Sequence, residues 1–345
     1  MLNLASDYVE GAHPEILDAL IRTNMEQLTG YETDIYCQRA AEKIKKFCNS
    51  PDAEVFFLVG GTQTNETVIA TMLRPYEGVL CAATGHIAVH ESGAVEYTGH
   101  KALTIEGKDG KITAEQVQAY LKAFYADSNH EHMVFPGMVY ISHPTEYGTL
   151  YSLDELTKLS DTCHAYHIPL FLDGARLGYG LMSRETDVSI QDIAHLCDVF
   201  YIGGTKVGAL CGEAVVFQPQ AVPPHFITMV KQHGAMLAKG RLLGVQFDTL
   251  FTDHLYENIS LHAIEMAEKL KEIVRRHSIP FFLETPTNQQ FLTLTNAQLH
   301  YLEQHLVFSV WEPVDSDHTA IRLCTSWATD EEKLKELDAI LTCLP

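Results

Sequence analysis

The sequence predicts an α/β protein with two domains, and three observations lead to that prediction. Short apolar runs alternate with amphipathic stretches between about residues 55 and 217, as in a mostly parallel sheet with helices on both faces. The C-terminal stretch contains runs that are typical of antiparallel strands. A chain of 345 residues is also long for a single core. We therefore expect a large domain over residues 1–250, with an N-terminal arm, and a small α+β domain over residues 251–345.

Composition and charge limit the classes of function. A hydrophobic content of 46% with 20% charged residues is that of a folded protein, so disorder is not expected. The net charge of −21 argues against nucleic acid or an anionic membrane as a partner, because both attract clustered Lys and Arg. The eight cysteines contain no Cys-x-x-Cys pair, and no signal segment or membrane-spanning run is evident. These features predict a cytoplasmic protein with reduced thiols.

Two helices are expected near the N-terminus, over residues 14–27 and 38–48. Ile16, Leu17, Leu20 and Ile21 would give the first of them one buried stripe. The alternating region that follows predicts strands at 55–59, 79–83, 102–105, 138–142, 168–172, 199–202 and 214–217. Helices are expected between them at 66–73, within 88–97, and at 113–124 and 153–165.

The rest of the chain predicts a long helical stretch over 226–251 and a helix over 261–276. Antiparallel strands are expected at 281–283, 291–294, 307–311 and 320–324. A final helix over 331–341 would have Thr329 as its N-cap.

The stretch from Gly60 to Asn65 follows a predicted strand and precedes a predicted helix. Two glycines let backbone N–H groups approach a ligand, Thr62 can donate its hydroxyl, and a helix N-terminus favours negative charge. The stretch is neither a Walker loop nor a dinucleotide fingerprint. It predicts either a phosphate cradle or a tight structural connection.

Two further stretches each end a buried strand with a charged residue, namely residues 171–176 with Asp173 and residues 201–206 with Lys206. The separation of 206 − 173 = 33 residues allows one crossover between neighbouring parallel strands. A carboxylate and a lysine meeting at strand ends suggest a pyridoxal 5′-phosphate site, in which lysine forms the Schiff base and aspartate keeps the pyridine nitrogen protonated. A structural Asp–Lys ion pair is the alternative interpretation.

Ligands of such sheets bind at the carboxyl ends of the strands, so one active site is expected there. The residues that would meet at that edge are Gly60 to Thr62, His86, Glu146, Asp173, Arg176 and Lys206.

Together these stretches resemble the L-threonine aldolase and aromatic amino acid β-eliminating lyase family of pyridoxal phosphate enzymes, whose fold is shared with aspartate aminotransferase (fold type I). The resemblance extends over nearly the whole chain. It rests on Ser6-Asp7, Gly60 to Asn65, Gly85-His86-Ile87, Asp173 to Arg176, Thr205-Lys206 and Arg322 to Trp327. It implies a large domain with a seven-stranded, mostly parallel sheet and a small C-terminal domain.

The resemblance also implies roles in holding the cofactor. Lys206 would form the Schiff base, Asp173 would pair with the pyridinium nitrogen, and His86 would stack on the ring and handle protons. Arg176 would lie near the ring or the substrate carboxylate. The phosphate would be held by Gly60, Gly61 and Thr62, and by Lys231 from a neighbouring subunit of a homodimer or homotetramer.

For the substrate, the resemblance implies that Ser6 and Arg322 bind the carboxylate, a task that suits a bidentate arginine. The implied reaction is retro-aldol cleavage of a β-hydroxy-α-amino acid, such as L-threonine or L-allo-threonine, to glycine and an aldehyde. One departure is evident, because many family members carry a histidine where this chain has Glu146, within residues 145–148. Glu146 or His86 would then be the base for the β-hydroxyl group.

Three other functions stay open at the level of sequence. The same cofactor could support β-elimination or transamination of another amino acid. His86, His90 and Glu91 could instead form the metal site of a hydrolase, although the order His-Glu-x-x-His is absent. A non-catalytic binding protein is the third alternative.

Overall fold

A computed structural model describes all residues, 1–345. Its strands are β1 (Leu2–Asn3), β2 (Glu54–Leu58), β3 (Glu77–Ala82), β4 (Ala102–Ile105), β5 (Phe135–Ser142), β6 (Leu170–Asp173), β7 (Val199–Gly203), β8 (Glu213–Phe217), β9 (Phe281–Leu283), β10 (Gln289–Thr295), β11 (Leu306–Val307), β12 (Ser309–Pro313) and β13 (His318–Cys324).

The helices are α1 (Pro14–Thr23), α2 (Ile35–Phe47), α3 (Gly61–Met72), α4 (His86–Val89), α5 (Ala94–Tyr97), α6 (Ala114–Ala126), α7 (Leu153–Ala165), α8 (Leu177–Leu181), α9 (Ile190–Leu196), α10 (Phe226–Gln232), α11 (Arg241–Leu250), α12 (Leu255–Arg276), α13 (Asn296–Leu302) and α14 (Glu331–Thr342). None of them combines the length and the apolar composition that a membrane-spanning segment requires.

A seven-stranded sheet forms the larger unit, with the order β2-β8-β7-β6-β5-β3-β4. The strands from β7 to β4 run parallel, whereas β8 is antiparallel to both of its neighbours. The connection over residues 204–212 is too short for a crossover helix, and therefore β8 returns antiparallel beside β7. The predicted mostly parallel sheet is confirmed.

Helices cover both faces of this sheet, as predicted. In β5, Val139 and Ile141 point into a core shared with α2, α6, α7, α9 and α11. Met138 and Tyr140 point into the opposite core, which contains residues of α3 and α10. Because side chains alternate along a strand, the position of each polar residue at a strand end determines on which face of the sheet it lies.

The C-terminal unit is built on a four-stranded antiparallel sheet with the order β12-β13-β10-β9. The chain also begins here, because β1 pairs in parallel with β11. The long helix α12 joins the two units, since Tyr256 and Ile259 lie in the core of the large sheet while Leu270 and Val274 lie in the C-terminal core. The predicted domain boundary near residue 250 stays a prediction.

Several predicted elements are wrong in detail. The stretch 226–251 is two helices, separated by a turn in which Gly234 has a φ of +68°. The N-cap of α14 is Asp330, whose side chain accepts from the N–H of Lys333, and not Thr329. In α1, Ile16 is buried but Ile21 is 75% exposed, so the predicted stripe does not face one core.

Two boundaries differ for reasons of local geometry. Helix α3 begins at Gly61, immediately after β2, and not near residue 66. The predicted strand over 307–311 is divided between β11 and β12, which belong to different sheets.

Candidate active site

Two adjoining cavities lie at the carboxyl ends of the central strands. The inner cavity has a volume of about 320 Å³ and is lined by residues of α3, β6 and the loop after β7, including Gly61, Asp173 and Lys206. The outer cavity has a volume of about 580 Å³ and extends to β12 and β13. His86, Glu146, Arg176 and Lys206 line both. The convergence expected from the sequence is therefore present.

The N-terminus of α3 forms one wall of the inner cavity. Its N-cap, Gly60, has no side chain to cap the helix, and the backbone N–H groups of Gly61, Thr62 and Gln63 have no acceptor in the chain. A Cβ atom at Gly61 would lie 3.2 Å from the hydroxyl of Tyr201. Unpaired N–H groups and the helix dipole make this wall suitable for an anion such as a phosphate.

Asp173 ends β6 and is held by four hydrogen-bond donors. The hydroxyls of Tyr140 and Tyr201 donate to its two oxygens. The side-chain amide of Asn65 donates to Oδ2 at 3.0 Å, and the N–H of Ala175 donates to Oδ1 at 3.0 Å. Burial opposes ionisation, but nearby His86 and these donors together lower the pKa of Asp173 below its ordinary value. The carboxylate is therefore kept charged inside the protein.

Lys206 lies in the loop that follows β7, and its amine lines the inner cavity. Burial, followed by the charge of Arg176, lowers the pKa of Lys206. A lowered pKa favours the neutral amine, which is the nucleophilic form. No ion pair within 4 Å joins Lys206 to Asp173, whose partners are the neutral donors described above.

A chain of hydrogen bonds connects His86 to the carboxylate of Asp173. His86 Nδ1 lies 2.7 Å from Oε1 of Glu91, whose side chain is fully buried. The same oxygen accepts a hydrogen bond of 2.8 Å from the amide of Asn65, which also donates to Asp173. Glu91 thus fixes the imidazole ring and leaves Nε2 free. His90, the other residue of the predicted metal site, places its ring centroid 5.6 Å from that of His86.

Asn65 and Glu91 are functional candidates that the sequence analysis missed. Both lay within recognised stretches, but Glu91 was considered only as a metal ligand. The structure contains no group of three His, Cys, Asp or Glu side chains arranged to hold a metal ion.

Glu146 lies between the two cavities, in the loop after β5. Its Oε1 accepts from the backbone N–H of His86 at 2.9 Å and from the hydroxyl of Ser142 at 2.6 Å. Burial raises the pKa of Glu146 above its ordinary value. Glu146 is thus anchored through Oε1. It lines both cavities and binds a proton more firmly than an exposed glutamate does.

Arg322 on β13 is the main cation of the outer cavity. Its Nη1 donates to Gln289 at 3.0 Å, and its Nη2 donates to the carbonyl of Ala5 at 3.3 Å, whereas its buried Nε has no partner. The guanidinium lies 5.4 Å from the ring centroid of Trp311. Trp311 is therefore a wall of the outer cavity and not only a packing residue.

His90 also lines the outer cavity. Burial, followed by the charges of His86, Arg322 and Lys206, lowers the pKa of His90. A neutral imidazole is therefore favoured at this position.

Arg176 and Ser6 are close to the cavities but are engaged elsewhere. Arg176 donates through Nε and Nη2 to the buried carboxylate of Asp7, at 2.6 and 3.0 Å. Although burial opposes it, the charges of Arg176 and Lys206 lower the pKa of Asp7 to about 2. Ser6 lines neither cavity, but it follows Ala5, whose carbonyl contacts Arg322.

Lys231 is the one predicted cofactor ligand that lies away from the site. It belongs to α10, lines neither cavity and places its Nζ 4.6 Å from the ring centroid of Tyr31. Any contact of Lys231 with a phosphate would therefore require a second chain.

Comparison with known proteins gives a consistent picture. The family model for β-eliminating lyases matches residues 3–297. A low specificity L-threonine aldolase from a Pseudomonas species is 29% identical over 338 residues, which cover 97% of this chain and 95% of the relative. The solved structure of Leishmania major threonine aldolase matches with a TM-score of 0.96 and 40% identity over 100% of both chains.

A more distant structure shows how widely the fold occurs. An aspartate aminotransferase from Thermus thermophilus matches with a TM-score of 0.73 over 100% of this chain and 92% of that chain, but it is only 13% identical. The two proteins therefore share the fold, and the similarity goes no further.

Proposed function

The chain belongs to the β-eliminating lyase family, and from that membership and the geometry of the cavities we propose that it is a pyridoxal 5′-phosphate-dependent aldolase. Its substrates would be β-hydroxy-α-amino acids such as L-threonine or L-allo-threonine, which it would cleave to glycine and an aldehyde. The observation that carries this proposal is the inner cavity, where a half-buried lysine with a lowered pKa, a carboxylate held in its charged form and an uncapped helix N-terminus meet. The names of the similar aldolases support the substrate class.

The residues of the inner cavity fit this cofactor. The unpaired N–H groups of Gly61 and Thr62 offer donors to the phosphate. Gly60 is the N-cap of α3 and has no side chain that could occupy these donors. Asp173 supplies a charged acceptor for the ring nitrogen, and Lys206 supplies the amine. His86, oriented by Glu91, would lie over the ring.

When bound, pyridoxal phosphate supplies an electron sink that weakens the bonds to the α-carbon of a linked amino acid. The protein's own task is to hold that sink in its active form. Asp173 would keep a proton on the ring nitrogen because its carboxylate stays ionised, and Tyr140, Tyr201 and Asn65 hold that carboxylate in place.

The substrate would be oriented by Arg322, which lines the outer cavity and whose guanidinium group can offer charge-assisted donors to a carboxylate. Ser6 and Arg176 are proposed as further contacts at this end of the substrate. Glu146 would accept the proton of the β-hydroxyl group on Oε2, since its Oε1 is held by His86 and Ser142. The β-substituent would then lie in the outer cavity, against Trp311.

One experiment tests the cofactor and its anchor. The purified protein should show a visible absorbance band with pyridoxal phosphate, and borohydride reduction followed by peptide mapping should place the label on Lys206. The Lys206→Ala variant should lose the label, whereas Lys122→Ala, a change on the exposed face of α6, should retain it. A label on another lysine, or a protein that stays colourless with the cofactor, would contradict the proposal.

A product assay separates the reaction types. Incubation with L-threonine should yield glycine and acetaldehyde in equal amounts. Ammonia and a keto acid would instead show β-elimination, and an amino group transferred to an added keto acid would show transamination.

We also propose a homodimer or homotetramer with its active sites near the subunit interface. Ile21 and Met25 are 75% and 87% exposed near the end of α1, which is costly for apolar side chains of a monomer and supports a covered face. The position of Lys231, away from the cavities of its own chain, is consistent with a role across that interface. A cytoplasmic location is supported by the eight cysteines, all of which are free.

A further inference from the structure

A buried glutamate that none of the steps above uses lies beside the anion-binding wall. Glu213 is the first residue of β8, and its register partners are Leu58 at the end of β2 and Gly203 at the end of β7. The chain after Leu58 leads into the start of α3, and the chain after Gly203 leads to Lys206. Glu213 therefore lies at the sheet edge between the helix N-terminus and the reactive lysine.

The side chain of Glu213 is aimed into the inner cavity. It lines that cavity together with Gly61, Thr62 and Thr205, and the residue is only 3% exposed. Its Oε2 accepts a hydrogen bond of 3.0 Å from the N–H of Gly204. No Lys, Arg or His nitrogen lies within 4 Å of its carboxyl oxygens.

Such a carboxyl group holds a proton more firmly than an exposed glutamate does. Burial raises the pKa of Glu213 to about 8. Lys206 is the cation that favours its ionisation and Asp173 is the anion that opposes it, while the Thr205 hydroxyl and the Gly204 N–H favour the charged form. Tyr201, Tyr256 and Cys211 face it as neutral groups.

The chemistry of the surrounding wall explains how a neutral carboxyl group could serve there. The unpaired N–H groups at the start of α3 and the Thr62 hydroxyl are donors that lie around the same cavity. A phosphate dianion satisfies several donors at once, but an ionised carboxylate beside it would repel it. A protonated carboxyl group instead adds one more donor.

We propose that Glu213 is a further ligand of the cofactor phosphate, to which it donates a hydrogen bond from its protonated carboxyl oxygen Oε1. Retention of the phosphate is thereby linked to one proton. The inference rests on the proposed function, because the ligand is the phosphate of pyridoxal phosphate. It goes further by giving Glu213 a role in phosphate binding and by making that binding depend on pH.

The test compares two ligands that cannot form a covalent link with Lys206. Pyridoxamine 5′-phosphate carries the phosphate and pyridoxamine lacks it, so the ratio of their dissociation constants isolates the phosphate site from Lys206 and the ring. The phosphate of the first ligand is mostly a dianion above pH 7, because its second pKa is about 6. Both constants would be measured by fluorescence titration of the cofactor-free protein between pH 7 and 9.5.

In the wild-type protein, the ratio by which the phosphate group strengthens binding should fall above pH 8, by up to about tenfold per pH unit for one linked proton. Glu213→Gln keeps the size of the side chain and a hydrogen-bond donor but has no proton to lose. In this variant the ratio should be independent of pH. Glu32→Gln is the matched control, because burial also raises the pKa of Glu32, to about 7, but Glu32 lines neither cavity. It should behave as the wild type.

A gain that is flat with pH in the wild type, or equally pH-dependent in Glu213→Gln, would overturn the inference and leave the proposed function intact. Failure of pyridoxamine 5′-phosphate to bind at any pH would overturn both. Infrared difference spectra offer a check that is independent of affinity. The wild type saturated with the phosphate ligand at pH 7 should show a carboxylic acid carbonyl band that is absent from Glu213→Gln, and a missing band would contradict the protonated donor.

Discussion

The inner and outer cavities adjoin each other but are assembled in different ways. The inner cavity is lined mostly by residues at the ends of neighbouring strands of one sheet and by the start of the helix that follows β2, with Tyr8 of the N-terminal arm and His86 of α4 as additions. The outer cavity combines α4 and the loop after β5 with β12 and β13 of the other sheet. The inner cavity therefore suits a cofactor of fixed shape, and the outer cavity, built across two units, suits the variable part of a substrate.

Two buried carboxyl groups that line the cavities also differ in their protonation. Asp173 in the inner cavity receives four hydrogen bonds and has a lowered pKa, whereas Glu146 at the border receives two at a single oxygen and has a raised pKa. The difference shows that burial alone does not set protonation, because nearby His86 and the larger number of donors outweigh burial at Asp173, whereas burial prevails at Glu146. One group can keep a charge while the other can exchange a proton.

The largest effect is expected from Asp173→Asn. This change removes the charge that the inner cavity is built to hold, and we expect kcat to fall on the order of 10⁴-fold, as when a charged partner of a reacting group is neutralised. Steady-state kinetics with L-threonine measures the effect, and Asp154→Asn on the exposed face of α7 serves as the control. A loss below tenfold would show that the charge of Asp173 is not needed.

Glu146→Gln probes the border between the cavities. If Glu146 accepts the β-hydroxyl proton, it must be ionised, so kcat should fall as the pH drops through its raised pKa. The acid limb of the wild-type profile should then lie above the ordinary glutamate value of about 4.3. The variant should lose about 100-fold in kcat, the lower part of the range for a general base, and should lose this limb. An unchanged limb would assign it to another group, with His86 as the first candidate.

In the outer cavity, Arg322→Lys should act on binding more than on chemistry. The change removes the planar set of donors, and a charge-assisted hydrogen bond is worth about 1.5–3 kcal/mol. We expect KM for L-threonine to rise about 10- to 100-fold with a smaller change in kcat. Arg276→Lys, at an exposed ion pair of α12, should leave both constants unchanged. A selective loss of kcat would place Arg322 in the chemical step instead.

The same contrast explains what could be read from the sequence. Asp173, Lys206 and the Gly60–Thr62 stretch were found because a buried strand that ends in a reactive residue is a local pattern, and parallel strands bring such ends together. The path of β8 was not found, because an alternation of apolar runs does not show the direction of a strand. The break in the helical stretch after α10 was missed because it depends on a left-handed turn at Gly234.

The outer cavity was less accessible to sequence reasoning. Arg322 contacts Ala5 across 317 residues of sequence, and no local pattern announces such a contact. Trp311 was not identified from the sequence, since a lone tryptophan carries no signal for a ligand wall. His90 and Glu91 were noticed for their spacing, but their spacing on a helix does not show that Glu91 turns inward to His86 and Asn65.

Glu91 offers the smallest and most selective test of the inner cavity. It touches neither cavity and can act only through His86 and Asn65, so it is a positioning residue. Glu91→Gln keeps an acceptor for His86 and removes the charge, and we expect kcat to fall about two- to threefold, the equivalent of roughly 0.5 kcal/mol. Glu91→Leu removes the acceptor as well and leaves the imidazole unrestrained. It should lose about tenfold in kcat, the equivalent of one hydrogen bond of about 1.4 kcal/mol.

A positioning role predicts that KM for L-threonine and the dissociation constant of pyridoxal phosphate stay unchanged in both variants. A parallel loss of cofactor affinity and thermal stability would instead show that Glu91 only supports the fold around α4.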